Sequence, residues 1–438
     1  MTQREREGYP GRAVYVVDGN RAPFLKVRNR PGPFAAADLA VAAGRPLLAR
    51  QPFEPPELDE VILGCVMPSA DEANIGRIAA LRLGCGLRVP GWTVQRNCAS
   101  GMQSLDCAAR GIAEGRSDLI LAGGVEVMSR APVLLSDAMV AWLGAWRGAR
   151  GIGRRAQALA RLRPRHFRVI IGLLRGLTDP VVGLSMGQTA ENLAYRFGIT
   201  REAMDRFALE SHRRLAEARD TGRLAGEVEP IFDTRGRCYD ADDGVRRDTD
   251  LDKLARLRPV FDRPFGNVTA GNSAQITDGA TWLLLASEDA VRRHRLPVLG
   301  RIVDCHWAAL DPAQMGLGPV HAGTPLLERH GLALQDIDYW EINEAFAAQV
   351  LACLAAWEDA DYCRTELGLK DALGPLDPAR INVDGGAVAL GHPVGATGAR
   401  LVLHVLRVLE REGARRGIAT LCIGGGQGGA MLVERDAE

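Results

Sequence analysis

Pro46-Leu47-Leu48-Ala49-Arg50, with Leu58-Asp59 eight residues beyond, returns 279 positions later as Pro325-Leu326-Leu327-Glu328-Arg329, with Ile337-Asp338 at the same distance. The correspondence is ungapped and runs on to Leu63 and Ile342. A second echo follows in the same order: Leu119-Ile120-Leu121-Ala122-Gly123-Gly124 against Thr420-Leu421-Cys422-Ile423-Gly424-Gly425, each an apolar run broken by glycines. Two echoes in one order favour a duplicated unit. Around them, β-branched runs alternate with helical periodicity. Ala13–Val17, Val61–Leu63, Leu119–Ala122, Val298–Ile302 and Thr420–Ile423 read as buried strands with helices between them. The chain is therefore expected to be α/β, built of two duplicated halves with a site between them.

The stretch from about Arg130 to Phe261 fits neither half. It holds the apolar run Ala138–Trp146, nine arginines and no acid from Arg147 to Arg175, a helical pattern over Glu202–Ala218 and a polar loop over Asp233–Asp250. The expected division is an N-terminal half over 1–130, completed by about 262–292, a mostly helical loop domain inserted over 131–261, and a C-terminal half over 293–438. Ligand covering or partner contact is the expected use of such an insertion.

Composition removes several classes of function. The 438 residues carry 54 basic and 54 acidic side chains, so the basic excess that phosphate contacts demand is missing and no nucleic-acid partner is expected. Apolar residues at 47% and charged residues at 25% are those of an ordinary soluble protein. No window approaches the roughly 20 apolar residues of a spanning helix. Met1–Gly11 has Arg4-Glu5-Arg6-Glu7 and no apolar core, the end Val433–Glu438 holds no address motif, and the nine cysteines include no C-x-x-C pair. Together these predict a cytoplasmic protein with reduced thiols. Fifty glycines are too many for turns alone, so some must serve close backbone approach.

Four glycine-rich or small-residue turns carry chemistry. In Val94-Gln95-Arg96-Asn97-Cys98-Ala99-Ser100-Gly101, an extended start runs into a helical pattern through Leu105, Ala108, Ala109 and Ile112. Cys98 thus sits at a helix N-terminus, where the helix dipole and free N–H groups favour a thiolate. Gly385-Gly386-Ala387-Val388-Ala389-Leu390-Gly391-His392-Pro393-Val394-Gly395-Ala396-Thr397-Gly398 precedes a helix expected from Ala399 to about Arg411 and surrounds one histidine, the residue whose pKa suits it to take a thiol's proton. Neither phosphate-loop pattern is present there. Cys422-Ile423-Gly424-Gly425-Gly426-Gln427-Gly428-Gly429 puts a second thiol at a strand end. Trp340-Glu341-Ile342-Asn343-Glu344-Ala345-Phe346 offers a side-chain amide where a strand gives way to a helix. Asn343 can polarise a carbonyl or hold a water there, or else cap the helix.

Together the four turns resemble those of the thiolase family, the acetyl-CoA C-acyltransferases. Gly123–Ser129, Met186–Asn192, Ser211-His212-Arg213, Leu257–Phe261, Val268–Ser273, Thr277–Ala280 and Met315–Pro319 extend the resemblance over nearly the whole chain. It implies the five-layered αβαβα thiolase fold and an acyltransferase of fatty-acid β-oxidation or lipid metabolism. Such an enzyme cleaves 3-oxoacyl-CoA with CoA to acetyl-CoA and a shortened acyl-CoA, or runs the reverse Claisen condensation. By the same resemblance Cys98 takes the acyl group as a thioester, His392 removes its proton and Cys422 is the acid/base at the α-carbon. Asn343 holds a water beside His392 at one oxyanion site, and the N–H groups of Cys98 and Gly424 form the other. Met186, Phe261, Ala270, Met315, Ala345 and Phe346 line the pantetheine tunnel. Coenzyme A is a substrate, and neither a cofactor nor a metal is implied.

Ser185 stands where many members carry histidine, and Ala274 where a CoA-contacting serine is common. The long insertion and the connection from Asn343 to His392 look like the β-subunit type of fatty-acid-oxidation complexes, which often has histidine at the place of Asn343. A homodimer or homotetramer is implied, with a hydratase/dehydrogenase α-subunit or a membrane surface as the candidate partner of the arginine-rich insertion. Two rivals are a decarboxylating condensing enzyme on the same fold, which has no reason to keep a thiol at Cys422, and an acyl-CoA carrier, which has no reason to fill all four catalytic positions.

Overall fold

The computed structural model describes residues 8–435. The charged start through Glu7 and the terminal Asp436–Glu438, on which the expectation for the chain ends partly rests, lie outside the described residues. Nine main strands are β1 (Val14–Arg21), β2 (Glu60–Gly64), β3 (Gly91–Val94), β4 (Leu119–Val127), β5 (Thr277–Ala286), β6 (Gly300–Ala309), β7 (Tyr339–Ile342), β8 (Arg416–Ile423) and β9 (Gln427–Glu434). They lie in the order β7-β8-β9-β6-β1-β5-β4-β2-β3, with a two-residue strand, Leu25–Lys26, beside β5.

The duplication is visible in this order. β1 and β6 meet antiparallel at the centre, through Val14–Val16 against Gly300–Ile302. Going outward on one side, β1–β5 and β5–β4 are antiparallel, while β4–β2 and β2–β3 are parallel. On the other side β6–β9 and β9–β8 are antiparallel and β8–β7 parallel, and Trp340 of β7 makes a parallel bridge to Ile381. The repeat offset carries Glu60 at the start of β2 onto Tyr339 at the start of β7.

The strands alternate between hydrophobic layers, as a two-residue period requires. Leu119 and Leu121 join Leu39 and Leu47 of helix α1 (Ala36–Ala49). Their neighbours Ile120 and Ala122 face the other way, onto Met102 and Leu105 of α2 (Ser100–Ala113) and Val402 and Leu406 of α4 (Val394–Glu412). In the second half Ala419, Met431 and Val433 join that same central layer, while Ile418 and Leu432 pack outward on Leu326 and Leu327 of α3 (Gly318–His330). The order is helix, sheet, helix, sheet, helix. A one-residue slip in any of these strands would exchange its two faces, and with 1.5–3 kcal/mol at stake for each large side chain the register is strongly fixed.

The strands reach further than the sequence suggested: β4 continues through Gly123-Gly124 to Val127, and α4 begins at Val394 rather than Ala399. Between β4 and β5 come the helices Asp137–Gly148, Ile152–Ala160, Met186–Arg196 and Arg201–Asp220. A small hairpin pairs Val133–Leu135 with Val169–Ile171, and the polar stretch is mostly loop around Ile231–Phe232 and Cys238–Tyr239.

Candidate active site

Two helix N-termini meet at the middle of the molecule. The turn before α2 is pinned by Ser100, whose hydroxyl accepts from Arg96 N (2.9 Å) and donates to Asn97 O (2.7 Å). Asn97 takes a left-handed φ of 42°, which Asn tolerates better than most side chains. Cys98 follows, partly exposed, immediately before the first turn of α2. A Cβ on Gly101 would lie 2.8 Å from Gly395 O in the first turn of α4, so only glycine allows the two helix starts to touch.

The thiol loops of the two halves are joined. Asn97 Nδ2 donates to Gly424 O at 2.8 Å. The N–H groups of Gly424 and of Cys98 itself point at the Cys98 sulfur and favour its anion, though burial outweighs them and holds this thiol above its ordinary pKa. Cys422, at the end of β8, is fully buried; burial first, then the neighbouring Cys98, raises its pKa well above the usual thiol range. Both sulfurs are therefore protonated at neutral pH. A thiol held in this state becomes a nucleophile only when a base takes its proton, and can itself serve as a proton donor.

His392 has the form a base requires. Its Nδ1 lies 2.7 Å from Thr397 Oγ1, and that hydroxyl donates its only proton to Pro393 O at 3.0 Å. The hydroxyl must then accept from Nδ1–H, which leaves the lone pair on Nε2. Burial first, and the Arg400 guanidinium second, push His392 down to about 3, so the ring is neutral at working pH. Gly391 before it has φ 105°, and a Cβ there would collide with Thr277 Cγ2 at 2.2 Å.

Asn343 does not cap a helix: the next helix starts at Ala347 behind Phe346. Instead its N–H bonds Thr420 O (2.9 Å) on the strand of Cys422, and its side-chain Nδ2 faces His392 Nε2 at 3.5 Å. Its buried Oδ1 has no partner among the described residues, as suits an amide that engages a ligand or water. Met186, Phe261, Met315, Ala345 and Phe346 form one apolar cluster with Cys422, and the rings of Phe261 and Phe346 meet edge-on at 5.8 Å. Gly187 makes room for Phe261, whose ring a Cβ would enter. Ala270 is exposed and does not join the cluster. Ser185 caps the Met186–Arg196 helix, accepting from Gln188 N.

Three supporting carboxylates were not singled out by sequence. Glu126 is buried, raised to about 7 by that burial, and accepts from Val66 N, Met67 N and Gly395 N, tying the His392 turn to the end of β2. Glu344 accepts from Ser211, Asn382 and Val388 N and fixes the Gly385–Leu390 stretch. Glu341 pairs with Arg400 at 2.5 Å, both buried, linking the strand of Asn343 to the helix of His392. Each partner lies 38 or more residues away in sequence, so no local pattern reveals the contact.

Comparison with known proteins adds a separate finding. Residues 14–289 match the family model for the thiolase N-terminal domain and 296–435 that for the thiolase C-terminal domain. The chain is 39% identical over 430 residues to a beta-ketoadipyl-CoA thiolase of Pseudomonas knackmussii, covering 97% of this chain and 99% of the relative. It is 36% identical over 426 residues to a 3-ketoacyl-CoA thiolase of Yersinia pestis, covering 97% of each. The crystal structure of human mitochondrial 3-ketoacyl-CoA thiolase in complex with CoA superposes with a TM-score of 0.82 at 35% identity, over 97% of this chain and 98% of that one.

Proposed function

The chain belongs to the thiolase family, an acyltransferase acting on 3-oxoacyl-CoA and CoA, and from that footing we propose how its own side chains divide the reaction. In the cleavage direction Cys98 Sγ attacks the 3-keto carbon while its proton passes to His392 Nε2. The tetrahedral oxygen sits on the N–H groups of Cys98 and Gly424. Collapse breaks the bond between C2 and C3, leaving the shortened acyl group on Cys98 and the enolate of acetyl-CoA. The Nε2–H of His392 and a water on Asn343 hold the enolate oxygen, and the Cys422 thiol gives its proton to C2. Free CoA then attacks the acyl thioester: its thiol proton goes to the Cys422 thiolate, and His392 returns its proton to Cys98. Every proton is restored, and condensation is the reverse.

The observation that carries this reading is the joining of the two thiol loops through Gly424, whose carbonyl takes Asn97 Nδ2 at 2.8 Å and whose N–H meets the Cys98 sulfur. Burial of Cys422 supports its role as a proton store, since desolvation favours the neutral thiol. The insertion, 131–261, serves to cover CoA; Met186 and Phe261, which it contributes to the apolar cluster around Cys422, support this. A cytoplasmic setting is part of the proposal, supported by nine cysteines all free of disulfides. So is a homodimer or homotetramer, and a hydratase/dehydrogenase subunit as an alternative partner of the insertion. Steady-state thiolysis of 3-oxoacyl-CoA tests the assignment. Cys98→Ala should abolish turnover and Cys422→Ala should cost about 10²–10⁴ in kcat. Full activity in either variant would refute it.

A further inference from the structure

Glu341 and Arg400 form an ion pair in the interior, each side chain only 2% exposed, with Arg400 Nη1 2.5 Å from Glu341 Oε2. Taking two charges out of water forfeits about as much as their attraction returns, and an apolar pair of similar volume often stabilises a fold as well. The guanidinium is also incompletely bonded, since its buried Nε has no partner among the described residues. Stability alone does not account for charges at this place.

Their position does. β7 stays extended as far as Asn343, whose N–H still bonds Thr420 O at 2.9 Å. In an extended chain, residues two apart share a face. Trp340 and Ile342 belong to the outer hydrophobic layer with Leu326 and Leu327, so Glu341 and Asn343 both face inward, toward α4. On α4, Thr397, Arg400 and His404 follow one another at three and then four residues, along one side of the helix. Thr397 holds His392 Nδ1, and His404 Nε2 lies 3.8 Å from the second oxygen of Glu341. The ion pair thus joins the strand face that carries Asn343 to the helix face that holds His392. Across this joint Asn343 Nδ2 and His392 Nε2 stand 3.5 Å apart, too far for their own contact to fix the spacing. A guanidinium is planar and rigid, so its bond to a carboxylate fixes direction as well as distance. We propose that Glu341 and Arg400 are positioning residues that set the spacing of Asn343 and His392 at the enolate oxygen. This role rests on the reading that those two side chains serve the enolate, and it adds what keeps them in place.

The test compares two reactions of the full chain. Thiolysis of a 3-oxoacyl-CoA passes through the enolate, whereas exchange of labelled CoA into the shortened acyl-CoA needs only acyl transfer to Cys98 and back. Glu341→Leu combined with Arg400→Met replaces the pair by apolar side chains and should keep the urea midpoint near that of the wild type. Thiolysis should then slow about 30–100-fold, the scale of a misplacement near 1 Å, with exchange held within about threefold and KM for CoA within about twofold. Arg400→Lys keeps the buried charge but not the planar fork, and should slow thiolysis alone by about three- to tenfold; it decides the matter if the double variant does not fold. Asn343→Ala is the control and should show the same selective loss of thiolysis. Equal losses in both reactions, or wild-type thiolysis in the pair variants, overturn the positioning role while Asn343→Ala stays selective. If Asn343→Ala itself slows both reactions equally, the enolate assignment falls, and the positioning role with it.

Discussion

In the proposed reaction the base is a neutral imidazole with its lone pair on Nε2, and Thr397 fixes that tautomer. Thr397→Val removes the acceptor for Nδ1–H at 2.7 Å and should lower kcat about tenfold or more with little change in KM. Thr397→Ser should restore most of the rate. Asn343→Ala, read in the same assay, should cost about 10²–10³ in kcat, the usual loss on removing an oxyanion donor. His392 also predicts a pH signature. It is depressed to about 3 from its ordinary 6.5, so it binds no proton across the working range, and the kcat/KM profile should show no acid limb near 6.5. Cys98, His392, Asn343, Cys422 and Gly424 could be read from sequence because each sits in a turn whose residue types expose it. Thr397 lay in plain view within the quoted stretch, but the role of a hydroxyl depends on where its proton points. Glu126, Glu344 and Arg400 act through partners that only the folded chain brings near.

Among the secondary-structure elements, the glycines depart furthest from their sequence reading. Gly123-Gly124 read as a break after Ala122, yet β4 runs straight through them; glycine is needed there for close packing, since a Cβ on Gly124 would strike Gly395 O at 1.9 Å. Gly395 and Gly398 likewise delayed the expected start of α4, although they lie inside its first turns and let it pack on α2 at Met102. Glycine marks close approach as often as it marks a stop, and sequence alone does not separate the two. The strand cores and the repeat could be read because a two-residue alternation and an ungapped echo survive without knowledge of partners. Gly391→Ala is the sharpest test at this scale. With φ 105° and Thr277 Cγ2 2.2 Å from the added carbon, it should lose roughly 2–4 kcal/mol in urea unfolding and inactivate the enzyme by moving His392.

Across the whole molecule, a buried charge network ties the halves to the insertion. Arg21 of β1 pairs with Glu227 (2.5 Å) and Asp242 (2.6 Å), and Glu227 takes His404 Nδ1 of α4 at 2.6 Å. Asp384 and Glu341 lie 3.5 and 3.8 Å from the other ring nitrogen. Burial would lower His404, but the Glu227 and Glu341 charges prevail and raise it to about 9 from 6.5. The folded state therefore holds a proton that the unfolded chain releases between those values. Its stabilising effect is complete below pH 6.5 and is lost as pH rises through about 9, amounting to roughly 3 kcal/mol. Urea midpoints measured from pH 6 to pH 10 should fall across that window in the wild type and run flatter in His404→Gln, which starts from a lower stability. In the proposed reaction the second half of a duplicated chain completes the chemistry of a thiol carried by the first. Brief incubation of the Cys422→Ala variant with a 3-oxoacyl-CoA, acid quench and mass analysis of the Asn97–Arg110 peptide tests this most directly. The account predicts one acyl group on Cys98 and none when His392 is also replaced by Ala; an acyl group on Cys107 instead, or no acylated peptide at all, would contradict it.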